Sequence, residues 1–193
     1  MIKIIFIILG LLLGTDVYAL DRCQDFIPDV RSAHTRYFGP AYPYWYGVGQ
    51  LKQESCCKAN VTAFDKGMGI AQFMPTTSKY IQSLMGEKLD PYNPEQATRM
   101  QAFYMARIHK KENWTKSLWI DYQIYNGGRS LLYKEYQRAG KVSHESMKSQ
   151  CQRKKIKMKW GTLDLCDVNY DYSKKIFTYG KSYKKGSDSL SYW

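Results

Sequence analysis

The sequence predicts a mainly α domain with a small hairpin-plus-helix extension at its C-terminal end. Apolar residues recur every three or four positions through most of the stretch from Phe26 to Gly140. Glycine and proline stand where helices of that period should end or begin. Beyond Gly140 the pattern turns briefly to alternation before it becomes helical again. At 193 residues the chain has room for one domain with a real core and a modest appendage, not for two full-sized domains.

From Tyr44 to Ser55, the residues Tyr44, Val48, Leu51 and Ser55 share a stripe with Trp45 beside it, and Glu54 sits at the edge of that face. Residues 66–86 predict two short helical pieces broken at Pro75, with Gly67 and Gly69 allowing close backbone approach. Asn93 is a natural N-cap for a helix that opens on Pro94 and carries Ala97, Met100, Tyr104 and Ile108 on one face. Leu118, Tyr122 and Tyr125 make the next stripe, in a segment from Trp114 that ends at Gly127 and Gly128. A further helix runs from Leu131 to Ala139 and stops at Gly140. Residues 151–166 alternate around Trp160 and Gly161, which predicts a small hairpin closed by Cys151 and Cys166. Tyr172, Ile176, Tyr179 and Tyr183 then return to helical spacing before a loose tail.

The first 19 residues have the form of a cleavable secretion signal: Lys3, an apolar run from Ile4 to Leu13, a polar break, and Val17-Tyr18-Ala19. The run falls short of the roughly 18–20 residues of a spanning helix, so no stable membrane span is expected after cleavage. The expected division is therefore a signal at 1–19, a catalytic body at 20–140, and a basic, tyrosine-rich extension at 141–193 packed on or beside it. The expected location is periplasmic or secreted.

In an oxidising compartment the five cysteines allow at most two internal bridges. Cys151 and Cys166 are expected to bond. Cys23 is left to choose between Cys56 and Cys57, with Cys57 preferred. There is no CxxC, and His34, His109 and His144 are scattered, which excludes a zinc site. No other metal or cofactor is implied.

The formal charge of +12 calls for an anionic partner. Nucleic acid, an anionic membrane face and an anionic wall polymer would all be attracted to such a surface, and export removes most of the case for nucleic acid. The lysines gather between Lys141 and Lys185, with Lys154, Lys155, Lys157 and Lys159 around Trp160, and read either as a solvated face or as a wall-adhesive one.

Glu54 is the candidate for chemistry. Cleavage of a glycosidic bond needs an acid that keeps its proton near neutral pH, and a carboxyl at the margin of an apolar helix face is placed for that, because partial burial disfavours the charged form. Eighteen residues separate Glu54 from Gln72. The pair Glu54-Ser55, the segment Gly69-Ile70-Ala71-Gln72-Phe73-Met74-Pro75, and Ile124-Tyr125-Asn126-Gly127-Gly128 together resemble the three ordered motifs of the soluble lytic transglycosylase family over roughly Tyr44 to Gly140. Cys56-Cys57, Ala71 and Ile124 depart from the family pattern without removing a proton-transfer group.

The resemblance implies a lysozyme-like helical fold and a peptidoglycan lytic transglycosylase. Glu54 would protonate the bond after N-acetylmuramic acid, then act as base on the C6 hydroxyl to leave a 1,6-anhydromuramoyl end. It also implies that Gln72 lines the cleft and bonds sugar, while Tyr125 and Asn126 hold the glutamate and the substrate. Peptidoglycan glycan strands are the implied partner; a conjugation or secretion apparatus, a bacteriophage or wall recycling would each suit a small exported enzyme of this kind, and no residue decides among them. Two other readings compete: a hydrolase of related fold, in which a second acid such as Asp65 positions water, and a wall-binding protein without activity. The run Asp167-x-Asn169-x-Asp171-x-Ser173 begins like a calcium loop but has Tyr172 and Thr178 where glycine and glutamate are needed. Asn169 or Asp171 reads instead as a helix N-cap.

Overall fold

The structure is a computed structural model that describes residues 21–186 apart from 113, 114, 116, 159 and 160. The expected signal segment, Trp114, Lys159 and Trp160 lie outside the described residues. A short 3-10 turn (Arg22–Phe26) leads into α1 (Ile27–Phe38), α2 (Tyr44–Ser55), α3 (Pro75–Met85), α4 (Pro94–Lys111), α5 (Leu118–Gly127), α6 (Arg129–Ala139) and α7 (His144–Ser149). A hairpin of β1 (Lys155–Met158) and β2 (Gly161–Asp164) follows, and α8 (Leu165–Lys181) closes the described fold.

α2 occupies the middle of the molecule. Val48 and Leu51 are fully buried, as are Met100 and Met105 of α4 and Ile176 of α8. Two glycines let neighbouring elements approach α2. A Cβ on Gly47 would lie 2.5 Å from the His34 ring of α1, and one on Gly49 would lie 2.5 Å from the Ile176 carbonyl oxygen of α8. Contacts this short leave no room for a side chain. Conversely, a Cβ on Gly180 of α8 would sit 2.5 Å from the Tyr46 ring, so the crossing of α2 and α8 is tight from both sides. The C-terminal helix is thus part of the central packing.

Helix ends follow their local chemistry. Asn93 Oδ1 accepts from the Gln96 amide at 3.1 Å, as expected of an N-cap, and Pro94 opens α4. α2 ends when Cys56 takes a left-handed conformation and returns its amide to the Lys52 carbonyl. Residues 66–74 differ from the expectation. They form no helix but a compact loop, with bridges pairing Thr62 with Met68 and Met68 with Phe73. Pro75 does not break a helix there; it begins α3 at the first turn, where a missing N–H costs nothing. Gly69 (φ 66°) makes the loop possible, since a Cβ there would lie 1.8 Å from the Pro91 carbonyl oxygen. The α8 N-cap is Asp164, which accepts from the Cys166 amide at 2.9 Å; Asn169 and Asp171 lie inside the helix.

Two disulfides tie the ends. Cys23 bonds Cys57, joining the opening turn to the end of α2, and Cys151 bonds Cys166 across the base of the hairpin, whose register pairs Lys155 with Asp164 and Met158 with Gly161. Cys56 is free and exposed.

Candidate active site

Glu54 lies in the last turn of α2 and is only 5% exposed. Its Oε1 accepts a hydrogen bond from the Tyr172 hydroxyl at 2.5 Å. Tyr172 in turn accepts from Gln50 Nε2 at 3.1 Å, and Gln50 Oε1 accepts from Gln101 Nε2 at 2.8 Å. Gln101 also donates to the Gly47 carbonyl at 3.3 Å. These side chains come from α2, α4 and α8 and are all buried, so the carboxyl is oriented by a chain of amide and phenol groups that cannot rearrange without exposing an unpaired polar atom.

A second set of contacts places the 66–74 loop against the glutamate. Ser55 Oγ donates to the Ile70 carbonyl at 2.8 Å and accepts from the Lys58 amide, and the Tyr125 hydroxyl donates to the Ala71 carbonyl at 2.8 Å. Burial pushes the Tyr125 and Tyr172 phenols well above the ordinary tyrosine range, and the nearby charge of Glu54 adds to the effect in both. Both therefore remain neutral hydrogen-bond donors across the whole range in which such a site works.

Gln72 adopts a left-handed backbone (φ 50°), and its amide nitrogen donates to the Gly69 carbonyl at 2.6 Å, with the Val61 carbonyl at 3.5 Å. It is 6% exposed and closes its own loop. Asn126 donates to Asn169 Oδ1 of α8 at 2.9 Å, and Gly127 beside it leaves room for that contact: a Cβ there would meet Asn169 Oδ1 at 2.7 Å. Asp65, the second acid weighed from sequence, accepts from the Gly67 amide at 3.1 Å. The structure thus gathers Glu54, Tyr125, Gln72 and Asn126 around one region and adds three residues that sequence reasoning missed: Tyr172, Gln50 and Asn169. The helical stripe through Tyr172 marked it as a core residue, and only its partner, 118 positions away, reveals a second role.

Two open spaces lie near the end of α5, the smaller lined by Ile124 and the larger by Gly127, the residues on either side of the Tyr125-Asn126 pair. The larger, about 750 Å³, lies between the 64–74 loop, the corner joining α5 to α6, and the hairpin; its walls include Asp65, Gly127, Lys134 and Lys154. The smaller, about 190 Å³, is bounded by Tyr80, Tyr104, Ile124 and Lys111, and the Tyr104 ring packs 5.6 Å from that of Tyr125. Arg129 lines both. Its Nε donates to Glu112 Oε1 at 2.6 Å, and its guanidinium lies over the Tyr133 ring at 4.3 Å. Glu54 itself lines neither space.

Fold and site together define a helical domain with a buried glutamate, Glu54, held by Tyr172 at the crossing of α2 and α8. A family model described as the transglycosylase SLT domain matches residues 50–148, and the chain belongs to that family. No curated protein matches it. Among solved structures, the 70 kDa soluble lytic transglycosylase of Escherichia coli is similar in fold, with a TM-score of 0.62 at 16% identity over 84% of this chain and 26% of that one. An inactive mutant of the lytic transglycosylase Slt from Pseudomonas aeruginosa gives 0.56 at 16% identity, over 79% of this chain and 23% of that one. A complex of the 70 kDa soluble lytic transglycosylase with bulgecin A gives 0.62 at 17% identity, over 89% and 28%. The chain thus spans about a quarter of these proteins' length and shares with them the lysozyme-like helical fold. α8, which supplies Tyr172, lies beyond the residues that the family model matches.

Proposed function

We propose that the protein is a peptidoglycan lytic transglycosylase in which Glu54 is the acid and then the base. The observation that carries this reading is the buried Glu54 carboxyl held by Tyr172, on a chain of the transglycosylase SLT family. In the first half-reaction, Glu54 gives its proton to the glycosidic oxygen that leaves N-acetylmuramic acid, and the bond to the anomeric carbon breaks. The substrate's own acetamido group stabilises the developing positive charge. In the second half, the Glu54 carboxylate takes the proton of the same sugar's C6 hydroxyl as that oxygen bonds the anomeric carbon. An intramolecular nucleophile gains from proximity, and no second carboxylate is required.

Tyr172 positions the carboxyl, Tyr125 fixes the Ala71 turn that faces it, and Gln72 shapes the same loop. In this reading sugar meets the Tyr125-Asn126 side of the site. We also propose that residues 1–19 direct export and that the enzyme works outside the cytoplasm. The two disulfides support this, because such bonds persist in oxidising compartments. Among the described residues no helix is long and apolar enough to cross a membrane. A small exported enzyme of this kind suits an apparatus for conjugation or secretion that must open the wall locally.

The test is digestion of purified sacculi followed by mass spectrometry of the fragments. The expected products end in anhydromuramic acid, one water lighter than the reducing ends a hydrolase leaves. Glu54→Gln should fold and lose at least about 10² in rate. Reducing ends as the main product would replace this reading with the hydrolase, and near-full activity of the variant would remove Glu54 from the mechanism.

A further inference from the structure

Helix α8 has two faces of different character. Leu165, Asn169, Tyr172, Ile176 and Gly180 turn inward and are buried. Lys174, Thr178 and Lys181, spaced four and three positions apart, lie on the opposite side and are exposed. Asp167 and Asp171 begin the same outer stripe, but both are taken: Lys148 lies 2.8 Å from Asp167 and 3.7 Å from Asp171, and Arg153 lies 3.4 Å from Asp167. From Tyr172 to Gly186 the chain has five lysines and no acidic residue. Lys174 and Lys181 form no ion pair among the described residues. Lys184 adds a cation at the same end, over the Trp45 ring at 5.6 Å. The nearby carboxylate of Asp21 is engaged by Lys52 at 3.0 Å and by the Tyr183 hydroxyl at 2.6 Å. A lysine in the last turn offsets the dipole of its helix, which accounts for Lys181 but not for Lys174 in the middle of α8.

The place of this face relative to the site decides its partner. Tyr172 reaches Glu54 from the inner face, and Leu165, also on the inner face, is the α8 residue that lines the larger open space. The exposed lysines therefore point away from the glutamate and from both spaces. A wall strand held at Glu54 lies on one side of α8, and an anion met by Lys174 and Lys181 lies on the other. An exported enzyme that turns its site to the wall turns this face to the other extended anionic surface of that compartment, a lipid bilayer. Lysines suit it, because they are mobile point charges that match diffuse surface charge, where arginine matches a single fixed anion. We propose that the outer face of α8 docks on anionic phospholipid headgroups and so holds the enzyme at a membrane with its site directed at the wall. The proposal rests on the export reading and not on the reaction that Glu54 performs.

The experiment sediments the full mature protein with vesicles of phosphatidylcholine alone, with vesicles that also contain phosphatidylglycerol, and with purified sacculi, at about 0.1 M and about 1 M salt. It includes the variant Lys174→Gln/Lys181→Gln and a control with the same charge change on and beside α3, Lys79→Gln/Lys88→Gln, whose lysines are also exposed. The unmodified protein should bind the vesicles that contain phosphatidylglycerol and not the neutral ones, and should leave them at high salt. The α8 variant should lower that partitioning roughly 10- to 30-fold, about fivefold for each lysine, and the control should stay within about twofold of the unmodified protein. Turnover of a soluble glycan fragment should be the same in all three. Inorganic phosphate added at constant ionic strength should not displace the vesicles, which separates a headgroup surface from a site for free phosphate. Equal binding to neutral and anionic vesicles, no binding to either, displacement by phosphate, or an equal drop in the control would each overturn the proposal. A loss of sacculus binding in the α8 variant with vesicle binding intact would assign the face to the wall polymer instead. If the protein binds anionic vesicles through Lys174 and Lys181 but cleaves no sacculi, the transglycosylase reading fails and the membrane face stands.

Discussion

Tyr172 and His34 show what single buried groups do for this protein. Tyr172 donates to Glu54 and accepts from Gln50, so Tyr172→Phe removes one bond to the reacting carboxyl and leaves the buried Gln50 amide without its acceptor. The expected cost is about 1–3 kcal/mol of stability. A carboxyl no longer held in line should also lose roughly 10- to 100-fold in kcat, while sedimentation with sacculi stays unchanged. Unaltered turnover in a folded variant would show that Tyr172 does not position Glu54. His34 acts on stability alone. Its ring stacks with Phe38 and Tyr42, and burial holds it down to about 4, opposed only by its hydrogen bond to the Val30 carbonyl. The unfolded chain therefore binds more protons than the folded one between pH 6.5 and about 4. The contribution of neutral His34 is complete above pH 6.5 and is lost as pH falls, by up to about 3 kcal/mol. Burial raises Asp121 to about 6 in spite of its bond to His109, which gives the opposite trend: its ionisation costs stability as pH rises from about 4 to about 6. Urea midpoints between pH 4 and 7 should thus have a shallower acid limb in His34→Gln than in the unmodified protein. Identical slopes would contradict the assignment.

At the scale of elements, the decisive contact is the crossing of α2 and α8. Alanine in place of a helical glycine ordinarily stabilises by about 1 kcal/mol. Gly49→Ala should do the reverse, because its Cβ would lie 2.5 Å from the Ile176 oxygen and 2.7 Å from the Gly180 nitrogen, backbone atoms that yield only if the helices separate. A net loss of about 1–3 kcal/mol in urea unfolding is expected, with a larger fractional loss of activity because Tyr172 moves with α8; a stabilised variant would refute the tight crossing. The sequence made α2 legible from Tyr44 to Ser55, since its stripe has the helical period. It made α4 legible through Asn93 and Pro94 and the hairpin through its bracketing cysteines. It did not reveal the 66–74 loop, because short apolar runs with glycine suit a helix piece and a turn equally, and what selects the turn is the Pro91 carbonyl against Gly69, a tertiary contact. For the same reason Gln72 could be found by its motif, but its engagement with the Gly69 and Val61 carbonyls could not.

At the scale of the whole molecule, the basic segment that composition sets apart after Gly140 packs on the helices before it. The extension delivers Tyr172 to Glu54 and Asn169 to Asn126, and buries Tyr170, Tyr172 and Ile176 against the remaining helices. Burial of three side chains of this size is worth roughly 5–9 kcal/mol, comparable with the entire stability of about 5–15 kcal/mol that a domain retains. A chain spanning residues 20–140 should therefore fail to fold on its own, even though it contains all three motifs read from the sequence. It would expose Tyr46 and Gly49 where α8 now crosses and leave Gln50, Glu54 and Asn126 without their α8 partners. The expected outcome is a non-cooperative thermal transition by circular dichroism, rapid proteolysis, and no release of fragments from sacculi. Supplying residues 141–186 as a separate chain during refolding should restore part of the activity, because the contacts across the cut are those of a packed interface and the Cys151 to Cys166 bond lies wholly within the added piece. A 20–140 fragment that unfolds cooperatively and cleaves sacculi at the rate of the intact protein would show that α8 is dispensable, and that Tyr172 does not act as the positioning group for Glu54.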